Sequence, residues 1–146
     1  MPSLSASARE LLATASVAHL ATSDQYARPH VVPIVFVLTN DVLDTPLDRT
    51  PKRDDDWHAL RRVRNIETNG RVAIVVDHYD EDWSRLAWVM LEGVATILES
   101  GDERDAAAAL LTEKYSQYQT LLLEGRPVVR VEIERASEWS SETPSP

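Results

Sequence analysis

Leu60-Arg61-Arg62-Val63-Arg64-Asn65-Ile66, followed by Asn69-Gly70-Arg71-Val72-Ala73-Ile74-Val75-Val76, is the stretch on which the reading of the fold turns. Its first part belongs to a helix predicted over Trp57 to Thr68. Asp54, Asp55 or Asp56 can cap that helix, and Leu60, Val63 and Ile66 recur at inward-facing spacing. Asn69-Gly70 stops it. Arg71 to Val76 then reads as an apolar strand, too short and too rich in valine to continue as a helix. A short, strongly cationic helix therefore feeds directly into a buried strand.

The neighbouring sequence supplies further strands. Toward the N-terminus, Val17 to Thr22 reads as a strand ended by the polar turn Ser23-Asp24-Gln25. Arg28 to Leu38 reads as a longer strand, in which Pro29 and Pro33 demand an edge position or a bulge. Thr39-Asn40-Asp41 is a turn, and Val42 to Leu47 a strand interrupted at Pro46. Ser5 to Ala15 is a helix, with Ser5 or Ser7 as cap. Asp48 to Asp56 is polar, carries Pro51 and reads as a loop.

Toward the C-terminus, His78 to Arg85 is a charged excursion. Leu86 to Leu98 is a strand with Gly93 as a bulge point. Asp102 to Leu123 is helical with a break near Ser116. Arg126 to Glu134 alternates strictly, with Val129, Val131 and Ile133 set against Arg130, Glu132 and Glu134. Six strands without regular βαβ alternation predict a mainly β (α+β) fold, an antiparallel barrel with peripheral helices. One domain over residues 1–136 is expected, with a loose Ser-, Glu- and Pro-rich tail over 137–146.

Composition narrows the function. The chain has 146 residues and a net charge of −9, so phosphate backbones would repel it and nucleic acid is a poor partner. Its longest apolar run, Val31–Leu38, is far too short to span a bilayer. The first residues lack a cationic segment followed by an apolar one, so a cytoplasmic location is expected. Cysteine is absent, which excludes disulfides, thiolate metal sites and cysteine nucleophiles. The four glycines are too dispersed for a phosphate-binding glycine loop.

Against this acidic background, Arg49 to Arg71 holds seven of the fifteen Lys and Arg residues: Arg49, Lys52, Arg53, Arg61, Arg62, Arg64 and Arg71. Three guanidiniums on one short helix repel each other unless an anion sits among them, and the planar guanidinium fork suits phosphate oxygens. Spacing alone leaves two readings open. One is a phosphate clamp; the other is a solvated helix face balanced by Asp54, Asp55, Asp56 and Glu67. His78, Asp80 and Asp82 alternate as metal ligands can, but nothing distant completes the set, so no metal is expected. His30, beside Pro29, is a candidate proton donor or simply a packed strand histidine.

The ordered series of strand, turn, proline-containing strand, short strand, cationic loop, Arg-Asn-Ile helix, Arg-Val strand and Gly-containing strand resembles the pyridoxamine phosphate oxidase-like split-barrel superfamily over roughly residues 8 to 135. The run Pro51-Lys52-Arg53…Leu60-Arg61-Arg62-Val63-Arg64-Asn65-Ile66 is similar to its deazaflavin-using actinobacterial branch. So is Val76-Asp77-His78-Tyr79-Asp80-Glu81-Asp82-Trp83-Ser84-Arg85-Leu86-Ala87-Trp88-Val89.

The resemblance implies a six-stranded antiparallel split β-barrel that works as a homodimer, with the cofactor in a groove between subunits. It implies that Arg62 grips the cofactor phosphate, helped by Lys52 and Arg61. Thr45, Pro46, Leu47 and Asp48 would line the ring, with Val31, Val32 and Pro33 on the neighbouring strand. It further implies an F420-dependent reductase acting on a small organic substrate, with FMN as the alternative cofactor. A protein that only holds F420, FMN or haem is a second expectation, and an FMN-dependent pyridoxamine phosphate oxidase-like enzyme a third.

Overall fold

The computed structural model describes residues 3–48 and 56–141. Helix α1 (Ala6–Thr14) starts at Ser5, whose Oγ accepts from the Ala8 N–H at 3.2 Å. It leads into β1 (Ala18–Ser23) and β2 (Pro29–Ile34). The turn between these strands is built on Asp24. Its Oδ1 accepts the Tyr26 and Arg28 N–H groups at 2.8 and 3.0 Å, and its Oδ2 meets Arg28 Nε at 2.7 Å.

Strands β3 (Val37–Thr39) and β4 (Val42–Pro46) form the next hairpin. After a single 3-10 turn at Trp57–Ala59 come α2 (Arg61–Thr68), β5 (Arg71–His78), β6 (Ala87–Leu98), α3 (Asp102–Lys114) and β7 (Val128–Ser140). All pairings are antiparallel, in the order β2-β1-β5-β6-β7-β4-β3.

That order forces a barrel. β2 and β3 lie at opposite ends of the sheet, yet only Val35 and Phe36 separate them in the chain. The three Cα steps from Ile34 to Val37 can span at most about 11 Å. The sheet must therefore curl until its two edges almost meet. Phe36, 0% exposed, plugs the seam.

The interior is filled by alternating residues of each strand, among them Leu20, Leu43, Ile74, Leu91 and Val131, all at 1% exposure or less. A smaller cluster under α3 holds Ala107, Leu111, Tyr118, Leu123 and Val128. α3 carries Asp102, Glu103 and Asp105 in its first turn and Lys114 in its last, as its dipole favours. Among the described residues no helix is long and apolar enough to cross a membrane.

The fold is mainly β with three α-helices outside, as expected, but the strands number seven rather than six. The segment Arg28–Leu38 is two strands. Tyr115 Oη accepts the Phe36 N–H at 3.1 Å, and Lys114 Nζ donates to the Phe36 carbonyl at 3.0 Å, so backbone groups that would extend the ladder bind side chains instead. β2 is an edge strand, as its prolines require.

The helix expected over Trp57–Thr68 breaks at Leu60, which takes extended backbone angles (φ −64°, ψ 133°). The segment expected to form the start of a loose tail is strand as far as Ser140, held by pairing to β6 from Ala87 onward; residues 142–146 lie outside the described residues.

Gly93 does mark a register shift. A Cβ there would lie 2.0 Å from the Glu132 carbonyl oxygen, so only glycine fits this crossing of β6 and β7.

Candidate functional site

α2 lies across β1 with Val63, Asn65 and Ile66 buried. Asn65 Nδ2 donates to Thr22 Oγ1 at 3.0 Å in a buried bond that sets the helix's rotation. By helical geometry, Arg62 falls within the arc bounded by Val63 and Asn65, with Ile66 one turn further on. Arg62 is thus the arginine of this helix that the fold turns inward. Arg61 and Arg64 are exposed.

Arg62, half-buried, reaches a cleft of about 230 Å³ lined by Val17, Pro33, Ile34, Val35, Thr45, Pro46 and Asp48. Among the described residues it makes no hydrogen bond or ion pair. Burial lowers its pKa, and the Asp48 charge opposes that shift in part. A guanidinium removed from water without a partner is costly to bury, so the cleft is predisposed toward an anion.

His30 lies beside this cation. Burial, then the charges of Arg61 and Arg62, lower its pKa, so its imidazole is held neutral. Its Nδ1 is buried without a hydrogen-bond partner. The second wall is equally well braced. The buried Arg126 donates from Nε to the Leu47 carbonyl at 2.9 Å and from Nη2 to the Asp48 carbonyl at 3.3 Å. Tyr118 Oη donates to Asp48 Oδ2 at 2.5 Å. Burial, and then this carboxylate, push the Tyr118 phenol far up, which keeps it protonated as the donor.

Of the residues the sequence nominated, Arg62, Pro33, Thr45, Pro46 and Asp48 come together around the cleft. The others do not join them. Leu47 is 1% exposed and packed in the core just beyond the end of β4. Val32 packs against the core from β2, and Val31 is 63% exposed on the outer face. Arg61 points to solvent, and its charge acts on His30. Lys52 lies outside the described residues.

Val17, Ile34, Val35, Arg126 and Tyr118 went unnominated. The last two sit 70 to 79 residues downstream of the wall they brace, in segments whose local pattern signals only a helix end and a strand start.

The charged excursion satisfies itself: Asp82 Oδ1 accepts the Ser84 N–H at 3.1 Å, and Asp80 lies 3.7 Å from both His78 Nε2 and Arg85 Nε. Among the described residues no three acidic or histidine side chains converge on a metal-sized point.

The outer face of the sheet is largely apolar and small. The paired row Pro33, His19, Val75, Met90 and Ser137 runs beside Val31, Ala21, Ala73 and Glu92. The cleft opens at its edge, through Pro33 and the 48% exposed Val17.

The same fold recurs in solved structures. A conserved hypothetical protein of Mycobacterium tuberculosis superposes with a TM-score of 0.76 at 17% identity, covering 95% of this chain and 86% of that one. The haem storage protein HutZ of Vibrio cholerae gives 0.71 at 20% identity, over 92% and 95% of the two chains. An FAD-binding protein of Mesorhizobium loti gives 0.66 at 22% identity, over 92% and 94%. At these identities the likeness is one of fold. No curated protein matches the sequence. The sequence pattern of pyridoxamine 5'-phosphate oxidase matches residues 4–140, and the chain belongs to that family.

Proposed function

We propose that the chain is an oxidoreductase that passes a hydride between coenzyme F420 and a small organic molecule, with the cofactor's phosphate held at Arg62. The observation that carries this reading is Arg62 itself: a half-buried cation without a partner among the described residues, aimed into a cleft between two strands. A phosphate would supply the missing counter-charge and acceptors for the guanidinium fork. The site fits such a group at a second point as well, since the neutral His30 beside the arginines has an unpartnered ring nitrogen.

Thr45, Pro46 and Pro33 would border the ring, and Lys52 would assist at the phosphate. When bound, the deazaflavin supplies the hydride chemistry. The chain's part is to hold the ring, exclude water with Val17, Val35 and Ile34, and orient the substrate. The choice of F420 over FMN follows the likeness of the Leu60–Ile66 and Val76–Val89 runs to the deazaflavin-using branch. We place a second copy of this chain on the apolar outer face, where Val31 stands 63% exposed beside Ala21.

Parallel fluorescence titrations with F420 and FMN test the reading. F420 is expected to bind the more tightly. Reduced F420 with a panel of enones is then expected to be oxidised only when protein is present. If neither cofactor binds, the proposal fails. Sedimentation at micromolar concentration is expected to report a dimer.

A second reading, a protein that holds haem or a flavin without turnover, draws support from the cleft's lining. Val17, Pro33, Ile34, Val35 and Pro46 make most of that lining apolar, and the HutZ likeness is compatible with it. Binding of F420 without enone-dependent oxidation would favour this second reading.

A further inference from the structure

A second hollow, of about 470 Å³, adjoins the Arg62 cleft and shares Val17, Val35 and Asp48 with it. That size is ordinary for a small-molecule site. Its own wall comes from the end of α3 and the turn after it: Lys114, Tyr115, Gln117, Tyr118 and Leu121. Lys114 is half-buried, and among the described residues no carboxylate pairs with it. One of its three N–H groups is spent on the Phe36 carbonyl at 3.0 Å, and its Nζ sits 4.0 Å from the centre of the Phe36 ring and 5.3 Å from that of Tyr115. Carbonyl and ring faces offer partial charge only.

We propose that this hollow is the substrate lobe of the site, and that it takes a flat, largely apolar molecule bearing one carboxylate, which Lys114 anchors. The identification as substrate rests on the oxidoreductase reading above; the carboxylate site does not.

Three observations converge on that chemistry. Besides Asp48 and Lys114 the walls are aliphatic and aromatic, with Ser16, Ser116 and Gln117 as uncharged polar members, and Val17 and Leu121 are still 48% and 38% exposed. The cation has two donors left. The acid in the lobe, Asp48, has one oxygen engaged by Tyr118 and borders Arg62 on its other side, so it does not neutralise Lys114. The other titratable groups facing Lys114 are Tyr115, whose phenol burial pushes up and so keeps neutral, and Glu113, which flanks it in a separate hollow toward α1. Burial lowers the Lys114 ammonium to about 8. A carboxylate ligand must therefore bind less well as the pH rises past that value, by about tenfold between pH 7 and 9.

Calorimetric titration of the full chain with benzoate and with benzamide, at pH 7 and 9, tests this. Benzoate is expected to bind at least tenfold more tightly than its neutral isostere at pH 7, and to lose that margin at pH 9. Lys114→Met, which keeps the apolar stem, is expected to abolish the margin, and Lys114→Arg to restore it at both pH values. Thermal melts show whether the variants remain folded. If the variants do not fold, the wild-type comparison of benzoate with benzamide across pH decides alone. Equal affinities for the two probes, no saturable benzoate binding, or a margin unchanged in folded Lys114→Met would overturn the proposal. Titrations with F420 and FMN run alongside separate the two sites: benzoate binding with neither cofactor bound leaves the lobe standing and removes the cofactor reading, and cofactor binding without benzoate binding does the reverse.

Discussion

Two arginines of this protein, each largely shielded from water, illustrate opposite uses of the same side chain. Arg130, on β7, meets Asp44 of β4 in a two-pronged pair, Nε to Oδ1 at 2.9 Å and Nη2 to Oδ2 at 3.0 Å, and also pairs with Glu103 of α3. Its hydrogen bond to Asp44 outweighs burial and raises its pKa. Arg62 has no such partner among the described residues, and burial lowers its pKa. One cation is spent on joining strands. The other is held ready, its helix positioned by Asn65 and its opposing wall by Arg126. A completed ion pair is a structural element; an incomplete one, braced on both sides, is left open to an outside anion.

The largest expected effect breaks the first arginine's pair. Asp44 is 2% exposed, so Asp44→Ala leaves Arg130 buried with only its outer partner, and chemical denaturation is expected to register a loss of about 3–5 kcal/mol. The matching change at the second arginine behaves otherwise. Arg62→Ala removes a charge that has no hydrogen-bonded partner and only the nearby Asp48 carboxylate to offset it in part, so stability is expected to change by less than about 0.5 kcal/mol. Its cost appears in cofactor titrations, as roughly 1.5–3 kcal/mol or about 10- to 150-fold in affinity. A large stability loss there would show the two arginines to be alike.

Asn65→Ala sharpens the contrast, since it removes the bond to Thr22 that orients α2. A stability loss of roughly 1–2 kcal/mol is expected, together with weaker cofactor binding from an unaimed Arg62. The smallest effect concerns His30. Its folded-state pKa lies below the unfolded value of 6.5, so the unfolded chain takes up the proton first as pH falls. Stability is therefore expected to decline as pH drops below 6.5 toward the folded value and to level off beneath it. His30→Phe should flatten that part of the curve. A slope unchanged by the substitution would place the responsible proton elsewhere.

Much of this was legible in the residues. The alternation of Val129, Val131 and Ile133 marked a half-buried strand, the prolines at 29 and 33 an edge, Gly93 a bulge, and Ser5 a cap. The division of Arg28–Leu38 was not. Val31 to Leu38 is uniformly apolar, and the break within it depends on Tyr115 and Lys114, which capture the Phe36 backbone from 79 and 78 residues away. The site shows the same limit. A triplet of arginines on a helix was visible, and the family resemblance pointed to Arg62 among them, but its inward turn is fixed by the burial of Val63, Asn65 and Ile66 and by the bond from Asn65 to Thr22. Leu47, nominated with its neighbours as one run, separates from Asp48 because it packs into the core while Asp48 borders the cleft.

The two-residue step from β2 to β3 has a consequence for behaviour in crowded solution. Joining the first and last strands of the ladder removes the long bare margins along which sheet proteins recruit one another. What margin survives is a three-residue strand on one side and, on the other, one whose backbone carries prolines in place of two donors. The dimer proposed above would therefore form on the outer sheet face without the molecule also offering a template for indiscriminate strand addition.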